Sequence, residues 1–171
     1  MIDKSTQDAL NSQMNAEIYS SYLYMSMSAW FESEGLKGAA NWMRVQALEE
    51  GVHAMKFYNY VRDRGGRVAF AAIEAPPAEW KSPLDCFQAV YAHEQKVTGL
   101  INKLVDLAIS KSDHATNSFL QWFVTEQVEE EASADELVQK LKLIKDSPQA
   151  LLMLDTELAA RTFVPPVPPV I

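Results

Sequence analysis

The sequence predicts an all-α protein: a four-helix bundle of two antiparallel hairpins, joined by a long crossover and followed by a short fifth helix. Apolar residues recur at alternating spacings of three and four through four long segments, and this period is typical of bundle helices. Glycine and proline fall mainly between those segments, where helices end. A length of 171 residues suits one domain with its own core.

Cap and breaker residues set the ends of the elements. The five predicted helices span residues 5–33, 36–64, 83–111, 114–145 and 148–161. Ser5, Ser82 and Asp113 are the predicted N-caps, because their side-chain oxygens can accept from the free N–H groups of a first turn. Gly35 ends the first helix, and Pro148 opens the fifth.

The lengths of the connections predict the order of the helices in space. The joints near Gly35 and Ser112 are short, so each pair of helices folds back as an antiparallel hairpin. The link from Gly65 to Ser82 can stretch about 60 Å, which is enough to return along the bundle and place the third helix parallel to the second. Residues 67–73 have some strand character, but we interpret them as packed crossover and not as a sheet.

Composition excludes several classes of function. The formal net charge is −8, and so acidic a chain lacks the clustered basic residues that nucleic-acid phosphates require. No stretch approaches the roughly 20 apolar residues of a membrane span, and the N-terminus does not match a secretory signal. Cys86 is the single cysteine, which excludes an intrachain disulfide and a cysteine-based metal site. We expect a cytoplasmic protein with one domain over residues 1–162 and a Pro-rich tail over 163–171.

Each of the four long helices carries polar, ligand-type residues in the middle of its apolar seam. These residues are Glu17 on the first helix, Glu50 and His53 on the second, Glu94 on the third, and Gln127 and Glu130 on the fourth. Adding 77 to positions 17, 50 and 53 gives 94, 127 and 130, so the two hairpins repeat one polar pattern. Counted from the hairpin joints, these residues fall at one level of the core.

This polar level predicts a site for metal ions. Ionised carboxylates that are buried together repel one another, and each costs several kcal/mol to desolvate. No lysine or arginine interrupts the seams, so other cations must neutralise the charge. A pair of metal ions bridged by carboxylates meets this need, and the oxygen-rich set with His53 favours iron or manganese over Ca²⁺ or Mg²⁺. A hydrated polar layer is the alternative.

Further acidic and aromatic residues flank the main candidates. Glu49, Glu126 and Glu129 are their sequence neighbours and predict an auxiliary cation site, with a solvated acidic face as the alternative. Tyr24 lies on the stripe of Glu17, and Trp122 is close to the fourth-helix candidates. Both types are common core aromatics, but beside a redox metal either one could donate an electron or hold a bound peroxide.

These residues stand in stretches that resemble the ferritins, specifically those of the prokaryotic non-haem kind, up to about residue 161. The stretches are NAEIYS (15–20), NWMR (41–44), EEGVHA (49–54) and FLQW (119–122), which leads into EQVEEE (126–131). Bacterioferritins and di-iron oxygenases carry a second Glu-x-x-His motif, whereas this chain has Gln127 and Glu130 at that place. The resemblance therefore favours the non-haem ferritins, with their ferritin-like bundle.

The resemblance also implies a ligand set. One iron site would take Glu17, Glu50 and His53, and a second would take Glu50, Glu94 and Glu130 with Gln127 close by. A third would take Glu49, Glu126, Glu129 and Glu130. Tyr24 and Trp122 match aromatic positions beside the centre.

The function that the resemblance implies is iron storage with ferroxidase activity. Fe²⁺ would be oxidised by O₂ or H₂O₂ and stored as ferric mineral inside a homo-oligomeric shell of about 24 chains. No haem is expected, and neither nucleic acid nor a membrane is expected as a partner. A small di-iron oxidase acting on an organic substrate, and a non-storage bundle that binds manganese or zinc, remain alternatives.

Overall fold

The computed structural model describes residues 2–145 and 147–164, and it confirms the predicted all-α class. The five helices are α1 (Lys4–Ser33), α2 (Lys37–Asp63), α3 (Pro83–Ser110), α4 (His114–Ile144) and α5 (Pro148–Leu158). The described residues contain no β-strand. Within them, no helix combines the length and the apolar run that a membrane span requires. The tail predicted at 163–171 lies outside the described residues except for positions 163 and 164.

The caps of the helices follow the predictions in all but one case. Ser82 accepts a hydrogen bond from the N–H of Asp85, and Asp113 accepts one from Thr116, as expected for N-caps. The prediction of Ser5 as the first N-cap was wrong. The Asp3 carboxylate is the cap and accepts from the N–H groups of Ser5 and Thr6, so the helix begins one residue earlier.

The crossover returns along α1 and is attached to it through its backbone. Side chains of Gln7, Asn11 and Asn15, which are spaced four residues apart on α1, bond backbone groups of residues 67–72 at 2.9 to 3.4 Å. Most side chains of the segment 67–73 are exposed, so the expectation of a packed crossover was wrong for them. A helix-spaced row of amides replaces apolar packing, because each amide can both donate to and accept from a neighbouring backbone.

Contacts at the two ends of the bundle confirm that α3 runs parallel to α2. Near the start of both helices, the rings of Phe87 and Trp42 lie 5.4 Å apart. Beyond their far ends, the Arg64 guanidinium lies 3.1 Å from the Asp113 carboxylate. The 18-residue crossover therefore spans the full length of the bundle, as its reach allows.

The short helix α5 docks on the start of α2 through backbone-capping contacts. The Asp155 carboxylate accepts from the N–H of Ala39 at 2.8 Å, and the Asn41 amide donates to the backbone oxygen of Arg161 at 2.9 Å. A Cβ added at Gly38 would lie 1.7 Å from the backbone oxygen of Asp155. The approach of these two helices therefore requires a glycine at position 38.

The apolar core consists of two clusters separated by a polar layer. One cluster includes Met43 and Phe87, and the other includes Met14 and Phe123. Between them lie buried polar residues from all four long helices, which we call the central layer: Glu17, Glu50, His53, Glu94, Gln127 and Glu130. All six side chains were predicted from the sequence, and all six are at most 8% exposed.

Candidate metal centre

The structure brings five candidate ligands, four from the central layer and Glu126 beside it, into two overlapping groups, and Glu94 is in neither of them. One ligand atom each from Glu17, Glu50 and His53 lies within 4.8 Å of the other two. The same holds for His53, Glu126 and Glu130. His53 thus joins a group on α1 and α2 to a group that includes α4, and either group has the donor atoms to hold a metal ion.

Among the described carboxylates of the central layer, Glu17 has a buried oxygen without a hydrogen-bond partner. Its Oε1 accepts a 2.8 Å hydrogen bond from the Gln13 amide, but its Oε2 is buried with no hydrogen-bond partner. Burial, together with the charge of Glu50, raises the pKa of Glu17 to about 8. A buried carboxylate oxygen without a donor is costly, and a bound cation would satisfy it.

Glu50 and His53 form the ion pair of this layer. His53 Nδ1 lies 3.3 Å from Glu50 Oε2, and its other ring nitrogen lies 3.8 Å from Glu126. Burial raises the pKa of Glu50 although the nearby His53 opposes it. Burial by itself lowers the pKa of His53, but Glu50 and the other surrounding carboxylates outweigh it and raise that pKa well above its usual value. In the metal-free chain, a protonated His53 therefore supplies the local positive charge.

Glu94 is held by donors from two helices. The Tyr24 hydroxyl donates to Oε1 of Glu94, and the Gln127 amide nitrogen lies 3.2 Å from Oε2. Burial and the charge of Glu130 raise the pKa of Glu94 to about 7. Burial and the charge of Glu94 raise the pKa of Tyr24 well above its usual value, so the phenol keeps its proton.

Gln127 is oriented as a hydrogen-bond donor. Its amide nitrogen lies 3.3 Å from both the backbone oxygen of Glu94 and the hydroxyl of Thr98. The Thr98 hydroxyl donates to Glu131 at 2.5 Å, which leaves its lone pairs free to accept from Gln127. An amide nitrogen does not bind metal cations, so any ligand role predicted for Gln127 must come from its Oε1.

Sequence reasoning missed the two glutamines that support the layer. The Gln46 amide lies 2.7 Å from Oε2 of Glu130, and Gln13 bonds Glu17 as described above. Each glutamine precedes a predicted ligand on its own helix by four residues, Gln13 before Glu17 and Gln46 before Glu50. That spacing places both side chains on the same helix face and was a usable signal. Burial and the charge of Glu50 raise the pKa of Glu130 to about 7.

The residues predicted for the third site are only partly gathered. Glu126 lies with His53 and Glu130, as given above, and is half-buried. Glu49 is half-buried too, but its carboxylate pairs with Arg161. Burial raises the pKa of Glu49 even though the Arg161 charge opposes the shift. Glu129 is exposed and outside both ligand groups.

Trp122 borders the centre but is not a core residue. Its indole is 39% exposed and lies edge-on to the His53 ring, with 5.4 Å between the ring centres. The ammonium of Lys56, which sequence reasoning did not single out, lies 3.7 Å from the centre of the indole. A cation so close to the ring face disfavours loss of an electron from it. The arrangement therefore favours Tyr24 over Trp122 as a redox-active aromatic.

Together, the fold and the site define a class of protein: a four-helix bundle with a buried carboxylate and histidine cluster that can hold metal ions. Residues 7–144 match the model of the Ferritin family, described as a ferritin-like domain. The chain belongs to the ferritin family, and this membership, together with the cluster, supports iron storage as its function.

Relatives and solved structures cover nearly the full chain. Bacterial non-heme ferritin of Bacteroides fragilis is 43% identical over 161 residues, which are 94% of this chain and 100% of that protein. Its counterpart in Staphylococcus saprophyticus is 44% identical over 95% of this chain and 98% of its own length. An open-pore ferritin from the hyperthermophilic archaeon Archaeoglobus fulgidus superposes with a TM-score of 0.94 at 56% identity, over 95% of this chain and all of that one. An engineered closed form of that archaeal ferritin superposes with a TM-score of 0.95 at 55% identity, over 96% of this chain and 100% of that one.

Proposed function

We propose that this ferritin stores iron by oxidising Fe²⁺ at the central layer and passing Fe³⁺ on to a mineral. The observation that carries the proposal is the buried group of Glu17, Glu50 and His53, in which Oε2 of Glu17 has no partner. In the metal-free chain this group depends on protons for its charge balance, and a bound metal ion would replace them and satisfy the unpartnered oxygen. Iron is the substrate here, and the bundle supplies the site where it is oxidised.

We assign two Fe²⁺ positions to the carboxylates and the histidine, as the resemblance to the ferritins implies. The first uses Glu17, Glu50 and His53, whose ligand atoms are already close together. The second uses Glu50, Glu94 and Glu130, with Gln127 beside Glu94. Glu50 is shared by both positions, which suits a carboxylate because its two oxygens can each bind one ion.

The buried acids have raised pKa values, and we expect them to release protons when Fe²⁺ binds. The pKa of Glu17 is about 8 and those of Glu94 and Glu130 are about 7, so near neutral pH the metal-free chain holds a proton mainly on Glu17 and partly on Glu94 and Glu130. Binding of Fe²⁺ expels those protons, and the carboxylate charge then offsets the charge of the metal. Each Fe²⁺ gives up one electron. An O₂ molecule takes two electrons and two protons to become H₂O₂, and an H₂O₂ molecule takes two of each to become two waters.

We assign Tyr24 a role in reducing the oxidant at the second iron position. Its hydroxyl donates to Glu94, a proposed ligand, and its pKa is raised well above the usual value. A phenol that is paired with a carboxylate can lose an electron and pass its proton to that carboxylate in the same step. Tyr24 can therefore supply one electron while the oxidant is being reduced, and a further Fe²⁺ would then reduce the tyrosyl radical while Glu94 returns the proton.

The larger assembly and the third site extend this proposal. We expect a third iron position to be formed by Glu49, Glu126, Glu129 and Glu130. We also expect the assembled shell to contain about 24 chains. The open-pore and closed forms named for the solved archaeal ferritins support a homo-oligomer. A cytoplasmic location stays a prediction from the sequence.

Stopped-flow oxidation of Fe²⁺ tests the proposed centre. Glu50→Gln removes the shared charge while keeping side-chain volume, and we expect the initial rate at two Fe²⁺ per chain to fall at least roughly 100-fold. Glu136→Gln on the exposed face of α4 is the matched control and should keep the wild-type rate. A near wild-type rate in Glu50→Gln contradicts the shared-ligand role.

A further inference from the structure

Arg161 is anchored beside the proposed third iron site. One guanidinium nitrogen pairs with the Glu49 carboxylate, and another lies 3.4 Å from the backbone oxygen of Trp42. The guanidinium carbon lies 4.4 Å from the centre of the Trp42 indole. The backbone oxygen of Arg161 accepts from Asn41 at 2.9 Å. Both ends of this residue are therefore held against the start of α2.

Glu49 interacts electrostatically with the group of His53, Glu126 and Glu130, although its carboxylate is not one of the ligand atoms in that group. The charges of His53 and Glu126 act on Glu49, and the charge of Glu49 acts on Glu130. Yet Glu49 is outside the group in which His53, Glu126 and Glu130 approach within 4.8 Å. The carboxylate that the prediction gives to a metal ion already holds a cation from its own chain.

We propose that Arg161 is a built-in competitor for the third iron position, occupying Glu49 until a metal ion displaces it. The proposal rests on the proposed function, because it concerns a ligand of that site. A guanidinium keeps its charge at all physiological pH values, so Arg161 does not release Glu49 by losing its own proton, whereas a competing cation can displace it. The two side chains are only 24% and 28% exposed, which screens the pair less than a surface pair.

Two properties of the protein follow from this contact. The third position binds metal more weakly than it would without Arg161, because the ion must first break the pair between Arg161 and Glu49. Its occupancy also depends on how the end of α5 docks on α2, since Asn41 and Trp42 hold Arg161 in place. Arg161 acts through Glu49 and is therefore a positioning residue.

Calorimetric titration of the metal-free, full-length protein with Zn²⁺ tests the proposal without iron turnover. In Arg161→Gln we expect the third Zn²⁺ per chain to bind roughly tenfold more tightly, while the first two are unchanged. Arg161→Lys keeps the positive charge and should leave the third ion weakly bound. Arg62→Gln removes an exposed arginine that pairs with Asp63, and it is the matched control that should match wild type.

A second variant links the effect to Glu49. Glu49→Gln should weaken the third Zn²⁺ strongly in the Arg161→Gln background and much less in the wild type, where Arg161 already occupies the carboxylate. If Arg161→Gln lowers the melting temperature but leaves the third Zn²⁺ unchanged, Arg161 is only an anchor for α5 and the proposal is overturned. Absence of the first two Zn²⁺ sites in the wild type is a separate result, which refutes the proposed function and this inference with it.

Discussion

The side-chain amide of Gln46 on α2 donates a 2.7 Å hydrogen bond to the Glu130 carboxylate on α4, across the middle of the bundle. The same nitrogen lies 3.5 Å from Oε1 of Glu50. The amide oxygen of Gln46 is buried without a partner. Gln46 therefore orients two proposed iron ligands from two helices, and its buried, unpartnered amide oxygen lowers the stability of the fold.

We expect Gln46→Leu to weaken metal binding far more than it weakens the fold. Glu130 is no longer oriented, so the affinity of the central layer for Co²⁺ should fall roughly tenfold. The stability of the metal-free protein should change by less than about 2 kcal/mol, because the unpartnered oxygen is removed together with the donor. Absorption-monitored Co²⁺ titration measures the affinity. Gln139→Leu, at an exposed glutamine of α4, is the control, and an unchanged affinity in Gln46→Leu contradicts the orienting role.

The stability of the metal-free protein should fall as pH rises from about 4.5 to about 8. Burial raises the pKa of Glu17 to about 8, and those of Glu94 and Glu130 to about 7, from 4.5. In this window the unfolded chain has lost protons that the folded chain still holds, so each increase in pH favours unfolding. Calorimetric melting temperatures at several pH values measure the slope. Saturating Zn²⁺ should remove most of this dependence of the melting temperature on pH, and Glu17→Gln should remove part of it. A melting temperature that is constant or rises over this range would refute the electrostatic account of the layer.

Thr98→Val should slow Fe²⁺ oxidation through Gln127. Valine keeps the shape of threonine but cannot accept from the Gln127 amide, which then loses its fixed direction toward Glu94. We expect the initial rate to fall roughly fivefold to tenfold, while the melting temperature changes little. Thr98→Ser keeps the hydroxyl and should retain the wild-type rate. Equal rates in the valine and serine variants would show that this hydroxyl has no part in orienting the site.

Gly38→Ala should detach α5 from α2. The added Cβ would lie 1.7 Å from the backbone oxygen of Asp155, a distance that no side-chain adjustment relieves. Helix separation should cost roughly 2–4 kcal/mol, which a fall in melting temperature reports. Gly99→Ala on α3 is the matched control: its Cβ has open space, so this change should be neutral or stabilise the helix by up to about 1 kcal/mol. Similar melting temperatures for the two variants would contradict the close approach at position 38.

Local sequence signals were sufficient for the helices and for the central layer. Caps such as Ser82 and Asp113 act within one turn, and the apolar period fixes which face is buried, so both are readable from neighbouring residues. The choice of Asp3 over Ser5 was missed because both residues can cap, and the carboxylate of Asp3 reaches two N–H groups.

Contacts between distant parts of the chain were not readable in this way. Arg161 reaches Glu49 across more than 100 positions, and Asp155 caps α2 from α5. Neither contact has a periodic signature, because each depends on where the short fifth helix docks. Gln46 is intermediate: its spacing from Glu50 was visible, but its bond to Glu130 required the packing of α2 and α4.

Iron storage is tested by loading the metal-free protein with Fe²⁺ without oxygen and then admitting air. Particle size and iron content are measured by size-exclusion chromatography. We expect iron to elute with a particle of several hundred kilodaltons, in an amount that greatly exceeds three ions per chain. A particle the size of one 19.2 kDa chain, or an assembly that never holds more than three irons per chain, would contradict iron storage.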